Sequence, residues 1–274
     1  MQIDDVSPTA GTFHGSLLRA CQSVSGKGLC VAVSPDGARA YLGGHSGVWR
    51  SDDGGDTWWH PDWLPEVRGG PTPDQALQMT NVYDLFISPA SSDVVLASTG
   101  RDPRLTSLAG IYRTENGGLG WRRVHQFTGV IRGTTKVGVA GQIFAAPDDP
   151  RTIYVAGDLA VARSTNGGLS WTESEPEPGS GGVFHVVAGP GAATGRRVYA
   201  AGSRVWYSLD GGNSWHTDPA PRSLGPVTDG PGSGARALAI HPQQDNVIYL
   251  MQDDLTLWKG VYPPAPARPN QGRR

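Results

Sequence analysis

The chain has little of what marks several large classes of protein. It carries two cysteines in 274 residues, Cys21 and Cys30, so it is no disulfide-dense scaffold. Neither cysteine stands in a C-x-x-C spacing, and free, half-buried thiols are the expectation. No run of about 18 apolar residues exists that would span a membrane as a helix. The net charge is only −2 and the isoelectric point about 6.4, which argues against a nucleic-acid or anionic-membrane partner. Lysine is scarce, 3 against 20 arginines, which reflects composition bias more than mechanism. The start, MQIDDVSPTAG, lacks the basic and apolar regions of a secretion signal. As it stands the chain is expected in the cytoplasm, or outside it after removal of a leader. No G-x-S-x-G context is present, and His14/His60 and His125/His185 show no metal spacing. Neither a metal nor a cofactor is expected.

What is abundant is glycine (39) and proline (22), which points to many short strands and turns rather than helices. One octet recurs. Ser51-Asp52-Asp53-Gly54-Gly55-Asp56-Thr57-Trp58 returns at 114–121, 164–171 and 208–215, always as hydroxyl, any residue, Asp or Asn, Gly-Gly, two more residues and Trp. Gly-Gly supplies the positive backbone angles of a tight reversal. The Asp or Asn oxygen can accept turn amides, with the Ser or Thr hydroxyls assisting. The third position runs Asp53, Asn116, Asn166, Asp210, so a charge is not required there. That swap points to a structural hydrogen bond rather than to a catalytic carboxylate or a metal ligand.

The octets resemble the Asp-box, or BNR repeat, with consensus S-x-D-x-G-x-T-W, and the first copy matches it at every fixed position. The resemblance takes in sialidases, sortilin-like receptors, xyloglucanase-type glycoside hydrolases and photosystem II assembly factors. It implies a β-propeller in which each box joins the third and fourth strands of a blade at the periphery, away from any active site. Ser51, Asp53, Trp58, Asn116, Trp121, Ser164, Asn166, Trp171, Ser208, Asp210 and Trp215 are then structural.

The rest of the chain agrees with this all-β reading. A module of roughly 45–60 residues repeats five times. Each begins with an apolar strand ending in Pro35, Pro89, Pro147, Pro190 or Pro242. Second strands follow around Tyr41, Val95, Tyr154, Tyr199 and Tyr249. The fifth module stops after its third strand, where a box should begin. Residues 1–262 are thus expected to form one propeller of five four-stranded blades, and 263–274 a disordered tail rich in Pro and Arg. The segment Phe13–Cys21 is expected to supply the strand that closes the last blade. An incomplete arc of a larger ring is the other reading.

Long connections collect on the face opposite the boxes, where ligand chemistry usually resides. Four residues before each Pro stand Val31, Leu85, Ile143, Val186 and Leu238, all aliphatic, as a core position should be. One residue earlier stand Cys30, Asp84, Gln142, His185 and Ala237, a mostly polar ring at the strand starts. Such a ring is either a hydrogen-bonded plug or the floor of a binding site. The loops around it add His45, Trp63, Tyr83, Arg101, Asp102, Arg104, Arg132, Asp158, Arg204, Arg236 and Asp253. Gln142, Tyr83, His45, Trp63 and the arginines would suit a polar ligand, a glycan or a protein. Asp84, His185, Asp102, Asp158 and Asp253 are the candidates for catalysis.

A sialidase-like activity would imply an Arg-Ile-Pro segment, and the nearest string is Ile131-Arg132-Gly133. The missing signature favours a non-catalytic binding or assembly propeller that recognises a polar ligand on the long-loop face, with no nucleic-acid partner and as a monomer. The alternative is a glycoside hydrolase working with two carboxylates at the central mouth, or a lyase with His185 or Tyr83 as base.

Overall fold

The computed structural model describes residues 28–44, 47–59, 81–100, 109–131, 134–176, 182–191, 195–202, 204–217, 235–252, 255 and 257–262. They contain strands and turns but no helix, hence none long and apolar enough to cross a membrane. Five antiparallel sheets follow one another along the chain, each in simple sequential order. Blade one holds β1 (Gly28–Val33), β2 (Ala40–Gly44) and β3 (Gly47–Ser51), with Trp59 bridged to Arg50 where a fourth strand would start. Blade two holds β4 (Asn81–Ile87), β5 (Val95–Gly100), β6 (Gly110–Thr114) and β7 (Arg122–His125). A hairpin of β8 (Thr128–Ile131) and β9 (Thr134–Val137) comes next. Blade three is β10 (Ala140–Ala146), β11 (Asp149–Gly157), β12 (Val161–Ser164) and β13 (Thr172–Ser174). Blade four is β14 (Val183–Ala188), β15 (Val198–Gly202), β16 (Val205–Ser208) and β17 (His216–Thr217). Blade five has β18 (Ala235–His241), β19 (Gln244–Gln252) and β20 (Leu257–Val261). The chain is an all-β, propeller-like stack of sheets.

The β8–β9 hairpin corrects the sequence reading of that stretch as a plain inter-blade loop. Ile131 pairs Thr134, and the two short runs, rich in Thr and Val, pair antiparallel as such residues favour. The expected N-terminal closing strand and the tail at 263–274 lie outside the described residues.

In blades two to four each octet joins the third strand to the fourth, in blade one it leads from β3 to the Trp59 bridge, and all four are built alike. The leading hydroxyl donates to the Asp or Asn Oδ1 at 2.8 Å in the first two copies, 2.9 Å in the third and 2.7 Å in the fourth. The same hydroxyl accepts the N–H of the second glycine, at 2.8–3.0 Å. Oδ1 then accepts the backbone N–H four residues on, from Thr57, Gly120, Ser170 and Ser214. Both glycines of every pair have positive φ, as at Gly167 (74°) and Gly168 (84°). The first glycine's N–H donates to a carbonyl in, or just after, the turn joining its blade's first two strands (Ala38, Asp93, Arg151, Arg196), which puts those turns and the boxes at one rim.

Among the described residues the core consists of four apolar layers, one between each pair of successive blades. Leu85, Ile143, Val186 and Leu238 each enter the layer shared with the preceding blade, and all are buried. Val31, at the same position of blade one, is 64% exposed. The expectation of a uniform core position therefore fails at blade one, because no preceding blade packs on it among the described residues.

Candidate functional site

The polar ring lies at the starts of the innermost strands, at the end opposite the boxes. Each of these strands carries a register irregularity there: Gly28/Cys30, Val82/Asp84, Ala140/Ile143, Val183/His185 and Ala235/Ala237. A bulge leaves backbone groups outside the ladder of its own sheet, and buried groups of that kind need partners. The previous blade supplies them. Cys30 Sγ donates to the Val82 carbonyl at 3.8 Å, and Asp84 Oδ2 accepts the Ile143 N–H at 2.8 Å. Gln142 Oε1 accepts the Val186 N–H at 3.1 Å, and His185 Nε2 stands 3.0 Å from the Ala235 carbonyl. A side chain of this ring therefore bridges each of the four described blade junctions. His185 must carry its proton on Nε2 to donate, and burial pushes its pKa down, which keeps it neutral.

Asp84 differs from the other three. Its Oδ1 accepts the Leu85 N–H at 2.9 Å, so both oxygens take a backbone amide. Burial nevertheless outweighs these bonds and raises its pKa to about 6. The thiol of Cys30 is pushed up to about 12, first by burial and then by the nearby charge of Asp84. Cys30 carries a free thiol, as expected, while Cys21 lies outside the described residues. Gln142 satisfies the next junction with a neutral amide oxygen, so hydrogen bonding alone does not require a carboxyl at 84.

The remaining candidates divide in two. Asp158, in the turn after β11, accepts the Val139 N–H at 2.6 Å and lies beside Gly138 and Gly182, between the starts of blades three and four. Tyr83 packs its ring against Gly100, where a Cβ would stand 1.6 Å from the ring. Arg204 and Arg236 are exposed at the same end. His45, Trp63, Arg101, Asp102, Arg104, Arg132 and Asp253 lie outside the described residues. Among the described residues no three His, Cys, Asp or Glu side chains converge as metal ligands.

Two further sets of junction bonds have no counterpart in the sequence reading. Tyr41, Tyr154 and Tyr199, at matching positions of the second strands, donate their hydroxyls to Ser92, Gly211 and Asp245 of the next blade, at 2.9, 3.1 and 2.9 Å. Paired across from them stand Arg50, Arg163 and Tyr207, with Arg113 at the same place in blade two. Arg50 Nη1 donates to the Gly117 carbonyl at 2.7 Å, Arg113 Nε to Gly167 at 3.3 Å and Arg163 Nη1 to Gly211 at 2.8 Å. Each acceptor is the first glycine of the next blade's octet. The boxes are thus receptors for the preceding blade as well as turns. The signal was an Arg immediately before three of the four octets.

No family model matches the sequence, and no curated protein matches it. Solved structures do. A GH74 xyloglucanase from Xanthomonas campestris superposes with a TM-score of 0.57 at 18% identity, over 88% of this chain and 37% of its own. An ancestral GH74 enzyme gives 0.55 at 19% identity, over 81% and 27%. At such identities the likeness is one of fold, and the chain spans about a third of the length of these enzymes.

Proposed function

We propose that this chain acts on polysaccharide as a propeller of the glycoside-hydrolase kind. Its glycan-facing surface is the strand-start mouth, and Asp84 is the acid/base carboxyl. The observation that carries this reading is the presence of a titratable group at 84, where the equivalent Gln142 makes the same bond to the next blade without a charge. A buried carboxyl with a pKa near 6 costs stability at neutral pH and is suited to proton transfer there. The fold shared with the xyloglucanases suggests the substrate class, xyloglucan or a related chain. Glycoside hydrolysis takes a second carboxylate, and Asp158 is the described candidate at the same end.

A binding role without hydrolysis is the second reading, favoured by the engagement of both Asp84 oxygens with backbone amides. One assay separates the two. Binding to xyloglucan and release of reducing ends are measured together for wild type and Asp84→Asn. Release that vanishes in a folded Asp84→Asn supports hydrolysis, whereas binding without release leaves a recognition module. A chain that neither binds nor cleaves any of a panel of polysaccharides contradicts both.

A further inference from the structure

The inter-blade junctions reuse a small set of parts, and the first and last described blades each show half of that set uncovered. The upstream half is what a blade shows to its predecessor: aliphatic side chains on the innermost strand, with turn and box carbonyls at the rim. Blade one shows this half uncovered, with Val31 64% and Val33 57% exposed. Its box glycine Gly54 matches Gly117, Gly167 and Gly211, whose carbonyls accept the donors of the preceding blade.

At two of the internal junctions the downstream half is a Tyr on the second strand with an Arg paired to it on the third, over an apolar floor; the other two keep only the Arg (Arg113) or only the Tyr (Tyr199). Blade five repeats it. Tyr249 pairs Lys259 in the register that pairs Tyr41 with Arg50 and Tyr154 with Arg163. Lys259 is exposed, and neither its ammonium nor the Tyr249 hydroxyl has a hydrogen-bond partner among the described residues. Around them Leu257 and Val261 are 69% and 66% exposed, with Ala237 and Ala239 also open to solvent. Ala237 replaces the polar residue that bridges every other junction, so this face relies on Tyr249 and Lys259 for its polar contacts.

We propose that the chain associates with a second copy of itself, head to tail, blade five of one molecule seating on blade one of the next. The occupant follows from complementarity. The donors and apolar strip of one end answer the acceptors and apolar strip of the other, as they do at the internal junctions. Such a contact uses two different surfaces, so it closes into a ring or continues as a filament. It holds whether the mouth cleaves glycan or only binds it.

Sedimentation velocity of the full chain over a wide concentration range tests this. The expected result is a mass that rises with concentration. Val31→Asp spoils one half and Leu257→Asp the other, so each variant alone should remain monomeric, with circular dichroism matching wild type. Mixed together they should form a one-to-one complex, because each retains the half that the other lacks. Lys259→Ala, a surface change that leaves the fold intact, should weaken association roughly tenfold, the scale of one hydrogen bond from a charged donor. A wild type that stays monomeric at every concentration overturns the proposal. So does a mixture of the two variants that stays monomeric, or a Val31→Asp protein that assembles as wild type does.

Discussion

The box rim and the strand-start ring meet the same kind of requirement in opposite ways. Both must satisfy backbone groups that the sheets leave over. At the rim, one set of bonds is repeated four times, with Ser or Thr at the first position and Asp or Asn at the third. At the strand starts, four junctions are bridged by four different residue types, Cys30, Asp84, Gln142 and His185. The rim has little freedom, a hydroxyl at one position and Asp or Asn at another, because its bonds lie within eight residues and a fixed turn. The ring needs only a polar atom that reaches an amide or carbonyl of the next blade, so its chemistry is free to vary. That freedom is what lets a titratable group sit at 84 without loss of the junction.

The comparison is most severely tested at the rim's apolar anchor. Trp121 is buried in the layer between blades one and two, and Trp121→Ala should cost about 3 kcal/mol or more in denaturant unfolding. Under the proposed function, polysaccharide preference should be unchanged in whatever folds; a shift in preference would break the separation between rim and mouth.

A smaller effect is expected from Asp84. Its folded pKa, about 6, lies above the ordinary carboxylate value of 3.8 because of burial. The favourable contribution of the protonated form is therefore complete below about pH 4 and lost as pH rises through about 6, an amplitude of about 3 kcal/mol. Asp84→Asn should remove this dependence. The amide mimics the protonated carboxyl, so the variant should be the more stable protein at pH 8 in urea melts, by about 1–3 kcal/mol. A variant less stable than wild type at pH 8 would mean that the ionised carboxylate is needed for the junction, and the ring would then be as constrained as the rim.

Ser164→Ala should cost about 1–2 kcal/mol, since the buried Gly168 N–H loses its acceptor. The smallest effect is expected at the interchangeable position. Asn166→Asp should change stability at pH 7 by no more than about 0.5 kcal/mol, because Asp53 and Asp210 hold the same bonds in their boxes. A large loss in a thermal melt would show that the boxes are not equivalent.

Much of the fold was legible because it is local. The octets, the Pro-terminated strands and the five modules all depend on residues close in sequence, and the strands stand where those signals put them. The ring positions were also legible, as polar residues interrupting apolar strands. Their partners were not, since Asp84 reaches Ile143 across 59 residues and no local pattern marks an amide as free. The arginines before the octets were visible yet unread for the same reason: their acceptors belong to the next blade.

The sequence alone thus determined the repeating unit, because turn chemistry and strand alternation are set by neighbours along the chain. Tertiary structure alone decided what joins the units. Val31 is as aliphatic as Leu85, Ile143, Val186 and Leu238, and only the packing of one blade on another distinguishes a buried side chain from one that is 64% exposed.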